Sequence, residues 1–361
     1  MAIKFYDLKV RNIKKETADA VSVTFDIPED LKETFDYKHG QYVTVRVPVN
    51  SDDNRRAYSI SSSPIFDKRI TITVKKVDDG IVSKYLNETL KIGDILQVMP
   101  PLGNFTIELN QNNQKTYFLV GGGSGITPLM SILKSVLSVE PLSRIFLLYQ
   151  NRYEETIIFA DELKQLSSEY SDRFTLVNCL SIPTENWQGA KGRIDKEFIS
   201  GYLRNNLKDD VFKAEFFLCG PDGLMTEAEL ALKDTKVASY QIHKEVFTVA
   251  LDNTEKVQDN IILQSSDSDI VTRKVKIILY SEELEFEVSP DDTVLTAALS
   301  EGHDPPFSCQ IGACSTCRAK LISGKVFMDE RDSLTDDEIE EGYVLTCQAH
   351  PLTDDVVIDY D

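Results

Sequence analysis

The sequence predicts a protein of several domains: an antiparallel β-barrel, then an α/β domain with a parallel sheet, then a small third domain. Through residues 1–110, apolar and polar side chains alternate with the period of half-buried strands. From about residue 115, short apolar strands alternate with helical segments, which indicates a parallel sheet covered by helices. A polar stretch then separates this α/β region from an acidic block at the end of the sequence.

The barrel is predicted over residues 1–112. Its clearest strands are 21–25, 42–47 and 70–74, and turn-forming residues such as Lys38-His39-Gly40 and Asp79-Gly80 lie between strands. Several short strands at this spacing are typical of an antiparallel barrel.

The α/β domain is predicted over residues 113–251. A strand at 117–120 leads into a glycine-rich loop, a helix over 128–139 and a second strand at 145–149. The alternation continues with a helix over 158–170 and strands at 174–180 and 215–219.

Residues 252–272 are polar and are predicted to be a linker. The third domain, 273–361, begins with a predicted hairpin of strands 275–279 and 284–288. It holds 20 acidic and 7 basic residues, so its net charge of −13 is most of the chain's −20.

This charge argues against a nucleic-acid partner, which needs a basic face. No apolar run reaches the roughly 20 residues of a membrane-spanning helix. The charged first ten residues do not resemble a signal peptide, so a cytoplasmic protein is expected.

Four of the six cysteines lie near the end of the sequence. Cys309, Cys314 and Cys317 give the spacing C-x4-C-x2-C, and Cys347 follows thirty residues later, which is the plant-type spacing for a [2Fe–2S] cluster. Structural zinc is the alternative, but zinc sites usually pair two C-x2-C knuckles and only one is present.

The surrounding segments resemble plant-type ferredoxins. The resemblance rests on Pro306-Phe307-Ser308-Cys309, on the stretch from Cys317 to Ala319, and on Leu345-Thr346-Cys347-Gln348. It implies that residues 273–361 form an α+β domain of the β-grasp type.

Arg56-Ala57-Tyr58-Ser59 resembles the R-x-Y-S signature of the ferredoxin–NADP⁺ reductase superfamily. The resemblance implies that Arg56 pairs with a flavin phosphate, that Tyr58 stacks on the flavin ring and that Ser59 hydrogen-bonds near its N5 atom. On its own so short a motif also fits ordinary surface packing.

Gly80-Ile81-Val82-Ser83 matches the same superfamily's G-x-x-S segment, where a helix start holds pyrophosphate. This segment favours FAD over FMN. The resemblance further implies cofactor contacts from Gly80, Val82, Ser83, Ala57, Val74 and Lys75.

Gly121-Gly122-Gly123-Ser124-Gly125-Ile126-Thr127-Pro128 follows a strand and opens a helix. Glycines in this position let the main chain approach a pyrophosphate. The absence of a following lysine excludes a Walker-type loop, although a simple tight turn stays possible. The segment resembles the superfamily's nicotinamide loop, which implies contacts from Gly123, Ser124, Gly125, Thr127 and Pro128.

Cys219-Gly220-Pro221, followed by Asp222 and Met225, resembles the superfamily's C-G-P-x-x-M motif at the end of a strand. The resemblance implies that Cys219 lies against the nicotinamide. It also implies that Phe247 covers the flavin and that Glu245 assists catalysis. The alternative for Cys219 is a small buried hydrophobic residue.

In this order the three domains resemble the oxygenase reductases of the phenylacetyl-CoA epoxidase and 3-ketosteroid hydroxylase type. The resemblance implies an oxidoreductase that passes electrons from NAD(P)H through FAD and a [2Fe–2S] cluster to an oxygenase. Arg152, after the second strand of the α/β domain, favours NADPH. Alternatives are a stand-alone oxidoreductase with a small acceptor, a general ferredoxin or flavodoxin reductase, and a non-catalytic carrier, which the nicotinamide and flavin motifs disfavour.

Overall fold

The computed structural model describes residues 4–49, 52–78, 80–247, 271–331, 333–334 and 336–360. They divide into two compact units. One comprises Tyr6–Asn54 and Tyr58–Phe247, and the other comprises the described residues of Met1–Phe5, Arg55–Ala57 and Thr248–Asp361. The predicted linker falls outside the described residues except for its last two positions.

The first sheet contains β1 (Tyr6–Thr17), β2 (Ala20–Asp26), β3 (Tyr42–Val49), β4 (Asp52–Ser59), β5 (Thr71–Lys75) and β6 (Ile95–Val98), in the order β4-β3-β6-β1-β2-β5. The pairings of β1 with β2 and β6, of β2 with β5 and of β3 with β6 are antiparallel, as the alternating pattern predicts. A short helix, α1 (Ile81–Lys84), follows β5 and continues into a π-helical turn, Tyr85–Thr89.

The second sheet is parallel throughout and has the order β10-β9-β8-β7-β11-β12. Its strands are β7 (Thr116–Gly122), β8 (Arg144–Asn151), β9 (Phe174–Leu180), β10 (Ala190–Lys191), β11 (Glu215–Cys219) and β12 (Ile242–Glu245). Its helices are α2 (Ile126–Val139), α3 (Ala160–Glu169), α4 (Lys196–Asn206) and α5 (Asp222–Asp234). The predicted parallel α/β architecture is confirmed, and α2 begins two residues earlier than predicted.

Residues in the connections of the first sheet pack against the second sheet and its helix α2. The rings of Phe105 and Phe217 meet edge to face at 5.4 Å, and both belong to the cluster that packs around α2. The Ser131 hydroxyl on α2 donates to the carbonyl oxygen of Ser62 at 2.6 Å. The two sheets therefore belong to one packed unit.

The other unit contains a mixed sheet in the order β14-β13-β19-β15-β17 and a separate two-stranded sheet of β16 and β18. The bounds are β13 (Arg273–Leu279), β14 (Glu282–Val288), β15 (Arg318–Ser323), β16 (Val326–Met328), β17 (Tyr343–Leu345), β18 (Ala349–Pro351) and β19 (Val356–Asp359), with helices α6 (Val294–Ser300) and α7 (Asp336–Glu340). β13 and β14 form the predicted antiparallel hairpin, and β13 pairs with β19 in parallel. The α+β class is confirmed.

Short 3-10 turns also occur at Glu29–Leu31, Gly123–Gly125, Glu154–Thr156, Lys208–Lys213 and Ser239–Gln241. Among the helices described, none combines the length and apolar character needed to cross a membrane.

Candidate functional site

The glycine-rich loop joins β7 to α2 at the carboxyl edge of the parallel sheet, where α/β folds bind their ligands. Gly123 has φ +53°, a left-handed conformation that favours glycine. Its carbonyl oxygen accepts a hydrogen bond from the Tyr149 hydroxyl at 2.9 Å. The Thr127 hydroxyl donates to the Ser124 carbonyl oxygen at 2.9 Å. The loop is therefore held in shape from β8 and from within α2.

The C-G-P segment packs directly against this loop. Cys219 is in register with Gly121 across the β11–β7 pair. A Cβ atom on Gly125 would lie 2.0 Å from the Cys219 carbonyl oxygen, and one on Gly122 would lie 2.7 Å from Cδ of Pro221. The two motifs that the sequence separates by about a hundred residues thus meet main chain to main chain, and only glycine permits this approach.

Cys219 and Glu245 are neighbours in register at the ends of β11 and β12. Cys219 is fully buried. Burial raises the pKa of the Cys219 thiol well above its usual value, and Glu245 raises it further when ionised, so the group is a neutral thiol at neutral pH. Burial raises the pKa of Glu245 to about 8. The structure therefore brings these two predicted residues together.

The other predicted nicotinamide residues lie nearby along the chain but differ in exposure. Asp222 opens α5 and is exposed, whereas Met225 is buried in the core cluster that contains the apolar residues of α4 and α5. Arg152 is exposed, immediately after β8. Phe247, the last described residue before 248–270, is 37% exposed.

The R-x-Y-S motif occupies the end of β4. Arg56 is exposed, Tyr58 packs against the barrel core and Ser59 is buried. The motif forms the last four residues of this strand.

Val74 and Lys75 end β5. The Val74 side chain is fully buried in the barrel core, so only its main chain can face a ligand. The Val74 carbonyl oxygen accepts from Nδ2 of Asn87 at 3.2 Å. The Lys75 ammonium lies 3.6 Å from the Asp19 carboxylate.

The G-x-x-S segment forms the start of α1. The Ser83 hydroxyl oxygen accepts from the Val77 main-chain N–H at 3.1 Å and its proton goes to the Gly80 carbonyl oxygen at 3.3 Å. A Cβ on Gly80 would lie 2.5 Å from that hydroxyl. Ser83 therefore shapes the turn itself, and Val82 is buried in the barrel core.

The four predicted cysteine ligands lie together in the C-terminal unit. Hydrogen bonds from Cys314 and Cys347, and from main-chain N–H groups at Ile311 and Ala313, lower the pKa of Cys309. Cys347 also interacts with Cys317. In this loop Gly312 has φ +74°, and a Cβ there would lie 2.8 Å from Cβ of Glu330.

The arrangement fits a sulfur-rich cluster. A [2Fe–2S] cluster divides four thiolates between two irons, and the four thiols interact with one another in this loop region. Three buried hydroxyls of this unit, on Ser308, Ser333 and Tyr360, have no hydrogen-bond partner among the described residues. Buried donors of this kind can serve the sulfurs of a cluster.

Several residues that shape these sites were not predicted. The Tyr149 hydroxyl anchors the glycine-rich loop, but the sequence pattern identifies Tyr149 only as part of an apolar strand. Tyr360 lies thirteen residues beyond Cys347, outside every motif. Only the folded chain shows that these hydroxyls face the loops concerned.

Family models match three consecutive parts of the chain. The oxidoreductase FAD-binding domain matches residues 7–107, the oxidoreductase NAD-binding domain matches 119–229, and the 2Fe-2S iron-sulfur cluster binding domain matches 277–352. The last range contains all four clustered cysteines.

Curated proteins match over nearly the whole chain. A component of the 1,2-phenylacetyl-CoA epoxidase from Escherichia coli is 35% identical over 99% of this chain and 98% of its own length. The ferredoxin reductase component of 3-ketosteroid-9-alpha-monooxygenase from Rhodococcus rhodochrous is 34% identical over 98% and 96%. Phthalate dioxygenase reductase is similar in fold, with a TM-score of 0.55 at 22% identity over 98% of both chains.

Proposed function

Because the chain belongs to the family of oxygenase reductase components with FAD-binding, NAD-binding and 2Fe-2S domains, we propose that it takes a hydride from NAD(P)H and delivers single electrons to an oxygenase. The observation that carries this proposal is the packing of the glycine-rich loop against the Cys219 main chain. That packing supports a single nicotinamide-binding edge formed by the two motifs.

The residues of the first unit would bind and orient the nicotinamide. The glycine-rich loop and the start of α2 would hold the pyrophosphate on main-chain N–H groups. Cys219 would bound the nicotinamide pocket with a neutral thiol, and Glu245 would supply a protonated carboxyl beside it. The residues assigned to this cofactor are Gly123, Ser124, Gly125, Thr127, Pro128, Arg152, Cys219, Gly220, Pro221, Asp222, Met225 and Glu245.

The end of β4 and the segments that follow it would hold FAD. Arg56 offers a fork of donors for phosphate oxygens, and Tyr58 offers an aromatic face for a flat ring. The residues assigned to FAD are Arg56, Ala57, Tyr58, Ser59, Val74, Lys75, Gly80, Val82, Ser83 and Phe247. When bound, FAD supplies the chemistry that converts a two-electron hydride into single electrons.

Cys309, Cys314, Cys317 and Cys347 would ligate the [2Fe–2S] cluster. This domain distinguishes the proposal from a stand-alone oxidoreductase, since an acceptor that binds at the flavin requires no cluster. A cytoplasmic location is part of the proposal, because thiolate ligands must stay reduced. Cell fractionation that finds the protein in another compartment would contradict it.

We further propose NADPH as the preferred donor, because Arg152 is an exposed cation immediately after β8 and could pair with a 2′-phosphate. Arg152→Ala should lower kcat/KM for NADPH by about 10- to 100-fold, the loss of one charge-assisted hydrogen-bonding group. The value for NADH should change little. Equal losses of kcat/KM with NADPH and NADH would show that Arg152 does not bind the 2′-phosphate.

The proposed function is tested by cofactor analysis of the purified chain. We expect one FAD and one [2Fe–2S] cluster per chain, with two irons and two labile sulfides. NAD(P)H added without oxygen should reduce both groups. Extracted FMN, or zinc in place of iron, would contradict the proposal.

A further inference from the structure

Tyr360 follows β19, the strand at the centre of the C-terminal sheet. Its main-chain N–H donates to the carbonyl oxygen of Ile278 at 3.0 Å, and its side chain packs against the core of this unit. Both the main chain and the ring of Tyr360 are therefore fixed in place. The hydroxyl oxygen is buried and has no hydrogen-bond partner among the described residues.

The surroundings of this hydroxyl are the cysteine ligands. Thr346 lies beside it, but the Thr346 hydroxyl donates to the carbonyl oxygen of Cys317 at 3.0 Å. The hydroxyl is close enough to Cys317 and Cys347 to interact electrostatically with both. A phenol carries its proton at neutral pH, so the Tyr360 hydroxyl is available as a donor toward sulfur.

A buried hydroxyl without a partner is costly, commonly by about 1–3 kcal/mol. This cost is removed if a bound group supplies an acceptor for the hydroxyl. The sulfurs of a cluster held by Cys317 and Cys347 are such acceptors, and their hydrogen bonds are among the features that set cluster potentials.

We propose that the Tyr360 hydroxyl donates a hydrogen bond to sulfur at the Cys317–Cys347 side of the [2Fe–2S] cluster and thereby raises its reduction potential. The proposal rests on the proposed function, since it requires the cluster. Its physical basis is that reduction adds negative charge, and a donor stabilises the more negative state more strongly. Tyr360 is then a positioning and tuning residue outside the cysteine motif.

The test is the midpoint potential of the cluster in Tyr360→Phe, measured by a redox titration followed by electron paramagnetic resonance. The variant keeps the ring and removes only the hydroxyl. We expect a shift to more negative potential at unchanged iron content. Electron–nuclear double resonance after exchange into D2O should also lose one exchangeable-proton coupling.

Tyr343→Phe is the matched control. Tyr343 is in the same unit on β17, but its ring contacts the Arg318 guanidinium at 4.7 Å. The control should leave both the potential and the proton coupling unchanged.

An unchanged potential and unchanged coupling in Tyr360→Phe, with the cluster intact, would overturn the inference and leave the proposed function standing. A wild-type chain that never assembles a [2Fe–2S] cluster would instead refute the proposed function. If Tyr360→Phe loses its cluster, 3-fluorotyrosine incorporated at position 360 keeps the ring and makes the hydroxyl a stronger donor: a more positive potential supports the inference, and an unchanged potential overturns it.

Discussion

At the residue scale, the proposed nicotinamide site depends on two side chains at the ends of β11 and β12. Cys219 is buried and neutral, and burial raises the pKa of its register partner Glu245 to about 8. The sequence singled out both residues through the resemblance to the superfamily, and their roles stay predictions. It could not find their pKa shifts, because these arise from burial between strands that are distant in the chain.

Cys219→Ala should slow the reduction of bound flavin by NAD(P)H by about 10- to 100-fold, because loosened positioning of the reacting groups costs rates of this order. Flavin content should change little, since the assigned FAD residues are elsewhere. Stopped-flow absorbance at saturating NAD(P)H measures the rate. Cys179→Ala, at another buried thiol of the same sheet, is the control. An unchanged rate in Cys219→Ala would show that the thiol only fills space.

Glu245→Gln should flatten the pH dependence of stability. The folded carboxyl keeps its proton up to about pH 8, whereas in the unfolded chain it loses the proton near pH 4.5. The unfolding free energy of the wild type should therefore fall as the pH rises through this window, by on the order of 1–3 kcal/mol from this group.

Thermal midpoints of wild type and Glu245→Gln between pH 5 and 8.5 measure the effect. The exposed Glu197→Gln on α4 is the control and should follow the wild type. A wild-type midpoint that rises through this window relative to Glu245→Gln would contradict the raised pKa.

At the scale of elements, the sequence predicted the strands and helices well where their period was clear. Strands 174–180 and 215–219 match β9 and β11. The contact between the glycine-rich loop and the C-G-P segment could not be predicted, because it depends on how β7 and β11 pair. The motif also could not predict that the Ser83 hydroxyl hydrogen-bonds within its own turn.

Gly125→Ala tests this contact. The new Cβ would lie 2.0 Å from the Cys219 carbonyl oxygen, so the two loops must separate. We expect a loss of NAD(P)H-dependent flavin reduction of at least about 100-fold, with a lower thermal midpoint.

Gly223→Ala on α5 is the matched control, because nothing lies within 4 Å of its Cβ. It should be neutral or stabilising by up to about 1 kcal/mol. Equal behaviour of the two variants would show that the loops do not pack as described.

At the scale of the whole molecule, the acidic charge is concentrated in one domain. Residues 273–361 carry a net charge of −13. Complementary charge speeds protein encounters more than it tightens them. We therefore expect a basic docking face on the electron acceptor. The composition predicted this asymmetry, but sequence cannot show which acidic groups face a partner.

Electron delivery to the partner should slow steeply as salt rises from 0.1 to 1 M, where the Debye length falls from about 10 Å to about 3 Å. NAD(P)H–ferricyanide turnover by the same preparation is the control and should change much less. A partner rate that stays flat or rises with salt would mean that docking is apolar.

The most direct measurement compares two activities of Cys314→Ser with those of the wild type. Cys314 belongs to the C-terminal unit, whereas the nicotinamide motifs belong to the other unit. Because hydride enters there and single electrons leave through the cluster domain, NAD(P)H–ferricyanide turnover should persist within about two-fold while cytochrome c reduction falls by at least about 100-fold. If both activities fell together, or if cytochrome c reduction survived loss of the cluster, the proposed order of electron transfer would be wrong.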